Sequence, residues 1–260
     1  MKEVIFLGSG PSTGIPVVGC SCKVCLSPSV YNKRLRPSIL IKLANKNILV
    51  DVGPDIRHQS LKYGINKIDY LIITHAHYDH IGGIDDMRIF NRIQKKSIKT
   101  FLSLSSYEEI KRRYDYIFQP NKKGHSQSAS FNFKILKDDV GEFKVSNERI
   151  KYFSYFQVLK SVIGIRLKKF AYVTDIKKYD KSIFKFLKNL DVLVISCLRI
   201  QKSAVHLNVD QAIEFAKKVN AKKTYFTHMG HEISHAYLEN NLPQNMFPAY
   251  DGLVINLENL

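Results

Sequence analysis

Apolar residues recur along this chain in two rhythms, and the changes between them mark out the elements. Residues 4–8, 38–43 and 47–51 are short, apolar and β-branched, with turn formers between them, which predicts three strands. Residues 55–63 have helical spacing and stop at Gly64. Residues 69–74 form an apolar run that predicts a buried strand ending directly at His75. Helical spacing returns over 84–94 and 107–117. The second half repeats the style. Residues 150–156, 161–167, 170–174 and 191–196 predict strands, and 209–219 an amphipathic helix with Val209, Ala212, Ile213, Ala216 and Val219 on one face. Residues 223–227 predict a strand ending at His228, 231–239 a helix and 253–255 a last strand. Residues 96–141 are less regular, and 122–130 read as a mobile loop. Strands in both halves with helices between them predict an α/β fold of two packed sheets with helices outside, in four layers.

No repeat, low-complexity stretch or proline-rich linker interrupts the 260 residues, which predicts one domain over 1–260. No apolar run approaches the roughly 20 residues of a membrane span. The apolar N-terminus is too short for a signal-peptide core and runs straight into a strand, so a cytoplasmic protein is expected. Lys and Arg total 40 against 23 Asp and Glu, a formal charge of +17. Such an excess attracts polyanions. The cations come as scattered doublets such as Lys95-Lys96, Lys168-Lys169 and Lys222-Lys223, with no block of five. A solvated lysine-rich surface and a nucleic-acid role both fit this pattern. Three of the four cysteines, Cys20, Cys22 and Cys25, fall within six residues. Disulfides between such close neighbours are strained, so metal binding is expected. Cys197 lies in an apolar run and reads as a small buried hydrophobe.

His75, His77, Asp79 and His80 place four ligand-type side chains within six positions at the end of a strand. On a helix they would not converge; on an irregular loop over a cleft they can. Imidazoles and a carboxylate suit zinc, manganese or iron. The spacing points the donors to two sides, which favours two metals clamping a hydroxide and the oxygens of a phosphoester.

The run Thr74-His75-Ala76-His77-Tyr78-Asp79-His80-Ile81-Gly82-Gly83 resembles the signature loop of the metallo-β-lactamase superfamily, and Asp51-Val52-Gly53 its strand-Asp-x-Gly segment. The resemblance implies an αββα sandwich with metals at the sheet edge. It implies that Asp51 supports a ligating histidine, that Asp175 bridges both metals and that His228 is the last ligand. Residues 8–16, followed by Cys20-Ser21-Cys22-Lys23-Val24-Cys25, resemble the start of PhnP-type phosphodiesterases, which act on cyclic phosphates of ribose and nucleotides. Pro16 and the cysteines stand where the helix of a dinucleotide loop would begin, so the glycines are not read as one. The PhnP-type resemblance implies a structural zinc on Cys20, Cys22, Cys25 and His231, a catalytic proton donor at His206, and a closing Tyr250-Asp251-Gly252 packed over the site.

One position departs from the family. Counting back from Gly164, Gln157 stands where a third histidine would hold the first metal with His75 and His77. A glutamine oxygen suits Mn²⁺ or Mg²⁺ better than Zn²⁺. His125 is the sole histidine between His80 and Asp175 and is a distant substitute. The expected protein is a metal-dependent phosphodiesterase with two catalytic zinc or manganese ions, Asp79 and His206 doing chemistry, and one structural zinc. A small phosphodiester is the expected substrate; nucleic acid and a second copy of the chain are left open, and no membrane is expected. The alternatives are a ribonuclease resembling tRNA 3′-processing enzymes, and a pseudo-enzyme or cofactor-handling protein whose first metal is lost.

Overall fold

The computed structural model describes residues 2–119 and 128–257. Its first half contains β1 (Lys2–Gly8), β2 (Ser38–Leu43), β3 (Lys46–Val50), α1 (Ile56–Lys62), β4 (Tyr70–Ile72), α2 (Tyr78–Ile81), α3 (Arg88–Gln94), β5 (Ile98–Ser103), α4 (Leu104–Arg113) and β6 (Phe131–Leu136). The second contains β7 (Val140–Val145), β8 (Glu148–Gln157), β9 (Lys160–Leu167), β10 (Phe170–Val173), α5 (Ile183–Phe186), β11 (Val192–Ser196), α6 (Val209–Val219), β12 (Lys223–Thr227), α7 (His235–Asn241), β13 (Met246–Pro248) and β14 (Val254–Asn256).

The strands form two sheets of seven, ordered β14-β1-β2-β3-β4-β5-β6 and β13-β12-β11-β10-β9-β8-β7. Each sheet is antiparallel on one side and parallel on the other: β3 to β6 run parallel in the first, β10 to β13 in the second. Period-two alternation sorts the side chains into layers. Val4, Phe6, Ile39, Ile41, Ile48 and Val50 face Ile163, Ile165, Tyr172 and Val194 between the sheets. Ile5, Leu7, Leu40 and Leu49 turn the other way and pack with Ile56, Met87 and Phe90 of the first helical layer. Leu193 and Ile195 do the same against Ala212, Phe215 and Leu238 of the second. This is the four-layer αββα arrangement that the pattern predicts. No helix among the described residues is long and apolar enough to cross a membrane.

Several expectations need correction. Residues 84–94 start as a 3₁₀ turn over Ile84–Met87 before α3 begins. The helix expected over 231–239 starts only at His235, because Ser234 caps it by accepting from the Tyr237 amide. The irregular stretch 96–141 contains β5, α4 and β6 and runs into β7. His125 and most of the loop expected over 122–130 lie outside the described residues.

Candidate metal centre

The candidate ligands sit at the C-terminal ends of parallel strands, where an α/β sheet opens its cleft. Asp51 follows β3, His75 to His80 follow β4, Asp175 follows β10 and His228 follows β12. Three of these, Asp51, Asp175 and His228, have φ of 64°, 54° and 59°. Left-handed backbone at non-glycine residues is costly and tends to collect at functional sites.

The loop after β4 is pinned from below. The Val52 amide donates to the His80 carbonyl at 2.8 Å, and the Ile163 amide of the opposite sheet donates to the Thr74 carbonyl at 2.9 Å. A Cβ on Gly53 would lie 2.2 Å from the Asp79 carbonyl oxygen, and one on Gly83 would lie 2.3 Å from that of Gly53. These glycines let the two backbones touch, which explains the Asp-x-Gly and Gly-Gly pieces of the motif. Asp51 accepts from the Thr74 amide at 2.8 Å and from its hydroxyl at 2.9 Å, and meets His80 Nδ1 at 2.7 Å. A histidine held this way presents Nε2 to the cleft, the usual support of a metal-binding imidazole.

His80 Nε2 lies 3.4 Å from Asp79 Oδ2 and 3.3 Å from Asp175 Oδ2. His228 Nε2 lies 3.3 Å from Asp79 Oδ2 and 3.3 Å from Asp175 Oδ1. Asp175 thus stands between both histidines, with its second oxygen accepting from Thr174 Oγ1 at 2.6 Å. His75 Nε2 and His77 Nδ1 approach to 2.9 Å. Asp51, Asp79 and Asp175 are all buried. Among the described residues their ion-pair partners are histidines alone. Three buried carboxylates facing histidines, with His80 Nε2 buried and without a hydrogen-bond partner, make a donor set that fits divalent cations. Burial alone would raise Asp175, but His228 and His80 hold it well below the usual carboxylate range. Burial opposes charge on His80, and Asp79, Asp51 and Asp175 outweigh it and hold the imidazole well above its ordinary value. Burial, with His80 next, pushes His75 well below.

His206, ahead of α6, packs over this cluster with its ring 5.2 Å from that of His228. Its Nδ1 lies 3.6 Å from Asp175 Oδ1. Burial lowers it to about 4. Gln157, at the end of β8, brings Nε2 to 3.2 Å from Asp175 Oδ1 and 2.8 Å from His206 Nε2. The glutamine therefore turns its amide nitrogen to the cluster, contrary to the oxygen ligation considered for it.

A second cluster joins residues 211 positions apart. Cys20, Cys22 and Cys25 Sγ lie 3.3, 3.6 and 3.8 Å from His231 Nδ1. Zinc–sulfur and zinc–nitrogen bonds of about 2.3 and 2.0 Å at a tetrahedral angle separate S and N by about 3.5 Å. The donor set fits zinc. The Cys25 backbone N–H, ahead of its neighbours' side chains, draws the Cys22 thiol down to about 6, toward the thiolate that binds metal. Cys197 is buried, its thiol pushed up to about 12 by burial, in keeping with a packing role.

Four residues brace this region, and two of them, Arg34 and Arg113, are illegible in the chain alone. Arg34, buried, donates to the carbonyls of Met229 and Gly230, beside His228 and His231. Asp251 accepts from the Ser9 amide and hydroxyl and from the Leu35 amide at 2.7–2.8 Å. Tyr250 packs on Tyr31 and His235. The closing triplet thus braces the first loop instead of covering the metal ligands. Arg113, paired with Glu109, donates to the Ala76 carbonyl at 2.9 Å and holds the ligand loop from the side.

Burial raises the Asp251 carboxyl to about 6, against an ordinary 3.8. A carboxyl raised on folding adds stability below its unfolded pKa and loses it as pH rises through the folded value. Asp251→Asn is therefore expected to cost about 2 kcal/mol more at pH 4 than at pH 7. Urea midpoints of both chains at the two pH values check this; a cost independent of pH would refute it.

Residues 46–229 match the Beta-lactamase superfamily domain. The chain belongs to the beta-lactamase superfamily. An octanoyltransferase of Porphyromonas gingivalis is 32% identical over 255 residues, 96% of this chain and 50% of the relative. The chain thus spans about half the length of that relative. A ribonuclease Z of Saccharolobus solfataricus is 22% identical over 95% of both chains. The crystal structure of a diphosphatase from the PhnP family superposes with a TM-score of 0.91 at 31% identity, covering 99% of this chain and 98% of that one. The superfamily fold, together with these His/Asp clusters, implies divalent metal binding.

Proposed function

We propose that this superfamily hydrolase cleaves small phosphodiesters, cyclic ribose or nucleotide phosphates foremost. The observation that carries the reading is the convergence of Asp79, His80 and His228 on Asp175 beside a Cys₃His cluster tied to the same loop. His75, His77 and Asp175 would hold one cation, and Asp79, His80, Asp175 and His228 the other. The Cys₃His cluster would hold a structural zinc. Bound there, divalent cations supply Lewis acidity toward phosphoryl oxygens and a water of lowered pKa.

The chain's own groups do the rest. Asp51 fixes the His80 tautomer. His206, buried over the cluster with Nδ1 3.6 Å from Asp175 Oδ1, would pass a proton to the departing oxygen, the service a positioned imidazole supplies. The resemblance in sequence and fold to a PhnP-family diphosphatase supports a small phosphate substrate. The ribonuclease Z relatives and the charge of +17 support RNA as the second reading.

The deciding experiment is one substrate panel: 2′,3′-cyclic nucleotides, a linear nucleotide phosphodiester, a diphosphate and a precursor tRNA, each with Zn²⁺, Mn²⁺ and Mg²⁺. Turnover of the cyclic phosphates is expected. Cleavage of the tRNA with the small esters untouched would reverse the ranking.

Lys160 is the exposed first residue of β9, paired with Gln157 across the β8–β9 hairpin and near enough for its charge to act on His77 and on Glu109. Lys160→Ala is expected to raise KM for an anionic ester about fivefold, worth about 1 kcal/mol, with kcat little changed. The loss should shrink in high salt. A fall in kcat at constant KM would place Lys160 elsewhere in the reaction.

A further inference from the structure

Gln157 is buried at the end of β8, and its amide nitrogen meets two groups at once, Asp175 Oδ1 at 3.2 Å and His206 Nε2 at 2.8 Å. A carboxylate only accepts, so the face turned to it is the NH₂, and its two hydrogens serve the carboxylate and the imidazole. An NH₂ engaged as a double donor offers nothing to a cation. It also fixes His206: Nε2 accepts, so Nδ1 carries the hydrogen and faces Asp175 Oδ1.

This leaves the two halves of the centre unequal. Asp79, His80 and His228 lie within 4.8 Å of one another, and Asp175 is 3.3 Å from both His80 and His228. That half has four donors. On the other side His75 groups with His80 and Asp175, whereas His77 belongs to none of the groups of three or more donors among the described residues. That half has two imidazoles and a share of Asp175, whose Oδ1 already accepts from Gln157.

We infer that Gln157 ties His206 to Asp175 instead of ligating metal, so that the centre takes one divalent cation tightly, on Asp79, His80, Asp175 and His228, and a second weakly, on His75 and His77. The inference rests on the metal-dependent reading above and adds to it an order of occupancy and a positioning role for Gln157.

The test is a metal count that needs no substrate. The full chain is stripped, reloaded with Zn²⁺, freed of excess by gel filtration and analysed for zinc, while calorimetric titration follows the weaker step. The wild type should retain two zinc ions, one of them removed by Cys20→Ser, and take a third about 10- to 100-fold more weakly. Gln157→His should retain three. Gln157→Leu should still retain two, while the imidazole ¹⁵N shifts of His206 in the stripped chain move from the Nδ1-protonated form to a tautomer mixture. Three retained ions in the wild type, a lost ion in Gln157→Leu, unmoved His206 shifts, or Gln157→His remaining at two would each overturn the proposal. A wild type that holds two ions and hydrolyses no phosphoester would sink the functional reading and leave this one standing. Three tight ions with phosphodiester turnover would do the reverse.

Discussion

Asp175→Asn is expected to lower turnover by about 10³-fold or more and to release the tightly held catalytic cation. Asparagine keeps the shape and tolerates the left-handed backbone that Asp175 adopts at φ 54°, so the change is one of charge. That charge is central. His80 and His228 both point Nε2 at this carboxylate from 3.3 Å, and His206 and Gln157 lean on its Oδ1. An amide in its place would turn an NH₂ toward some of these donors and offer one weak oxygen to a cation. The checks are kcat/KM on the best substrate of the panel and zinc per chain after gel filtration. A variant that keeps a tenth of wild-type turnover would show that Asp175 does not bridge the metals.

The second large effect concerns the other cluster. Cys22→Ser is expected to remove one zinc and lower Tm by about 5–10 °C. Residues 9–37 contain little regular structure beyond a 3₁₀ turn at Val30–Asn32. Their own core is small: Ile15, Val24 and Cys25, with Val17, Cys20 and Cys22 against them. Such a segment needs a staple. A cation present at a hundred times its Kd stabilises the folded state by about 3 kcal/mol, and at this chain length each kcal/mol moves Tm by roughly 2–4 °C. Limited proteolysis should open the first loop before the rest of the fold. An unchanged Tm with the zinc gone would mean that Arg34 and Asp251 brace the loop unaided.

The readable parts of the chain were those in which neighbours in sequence are also neighbours in space. The ligand loop declares itself because His75, His77, Asp79 and His80 lie within six positions, between the end of β4 and the single turn of α2. The cysteine triad does so for the same reason. Strands such as β2 and β11 are legible because burial on both faces leaves nearly continuous apolar runs. By contrast β5, with Lys99 and Thr100 inside Ile98–Ser103, blurs into the polar stretch around it, and β13 is three residues long and ends in Pro248. The helix expected from 231 fails at its start because His231 is drawn to the cysteines while Ser234 sets the cap.

By itself the chain determined the four-layer class, because hydrophobic period is a property of sequence; the proposed donors beyond His75 to His80 and the three cysteines, and the departure at Gln157, were legible only through the family resemblance. Tertiary structure decided which donors meet. Asp51, His80, Asp175 and His228 lie beyond four strand ends of two sheets, and Arg34, a surface type by charge, is buried against the carbonyls of Met229 and Gly230. It also decided which way Gln157 turns. An amide offers an acceptor and a donor at equal cost, and only the neighbouring Asp175 carboxylate, which can accept and not donate, selects the nitrogen.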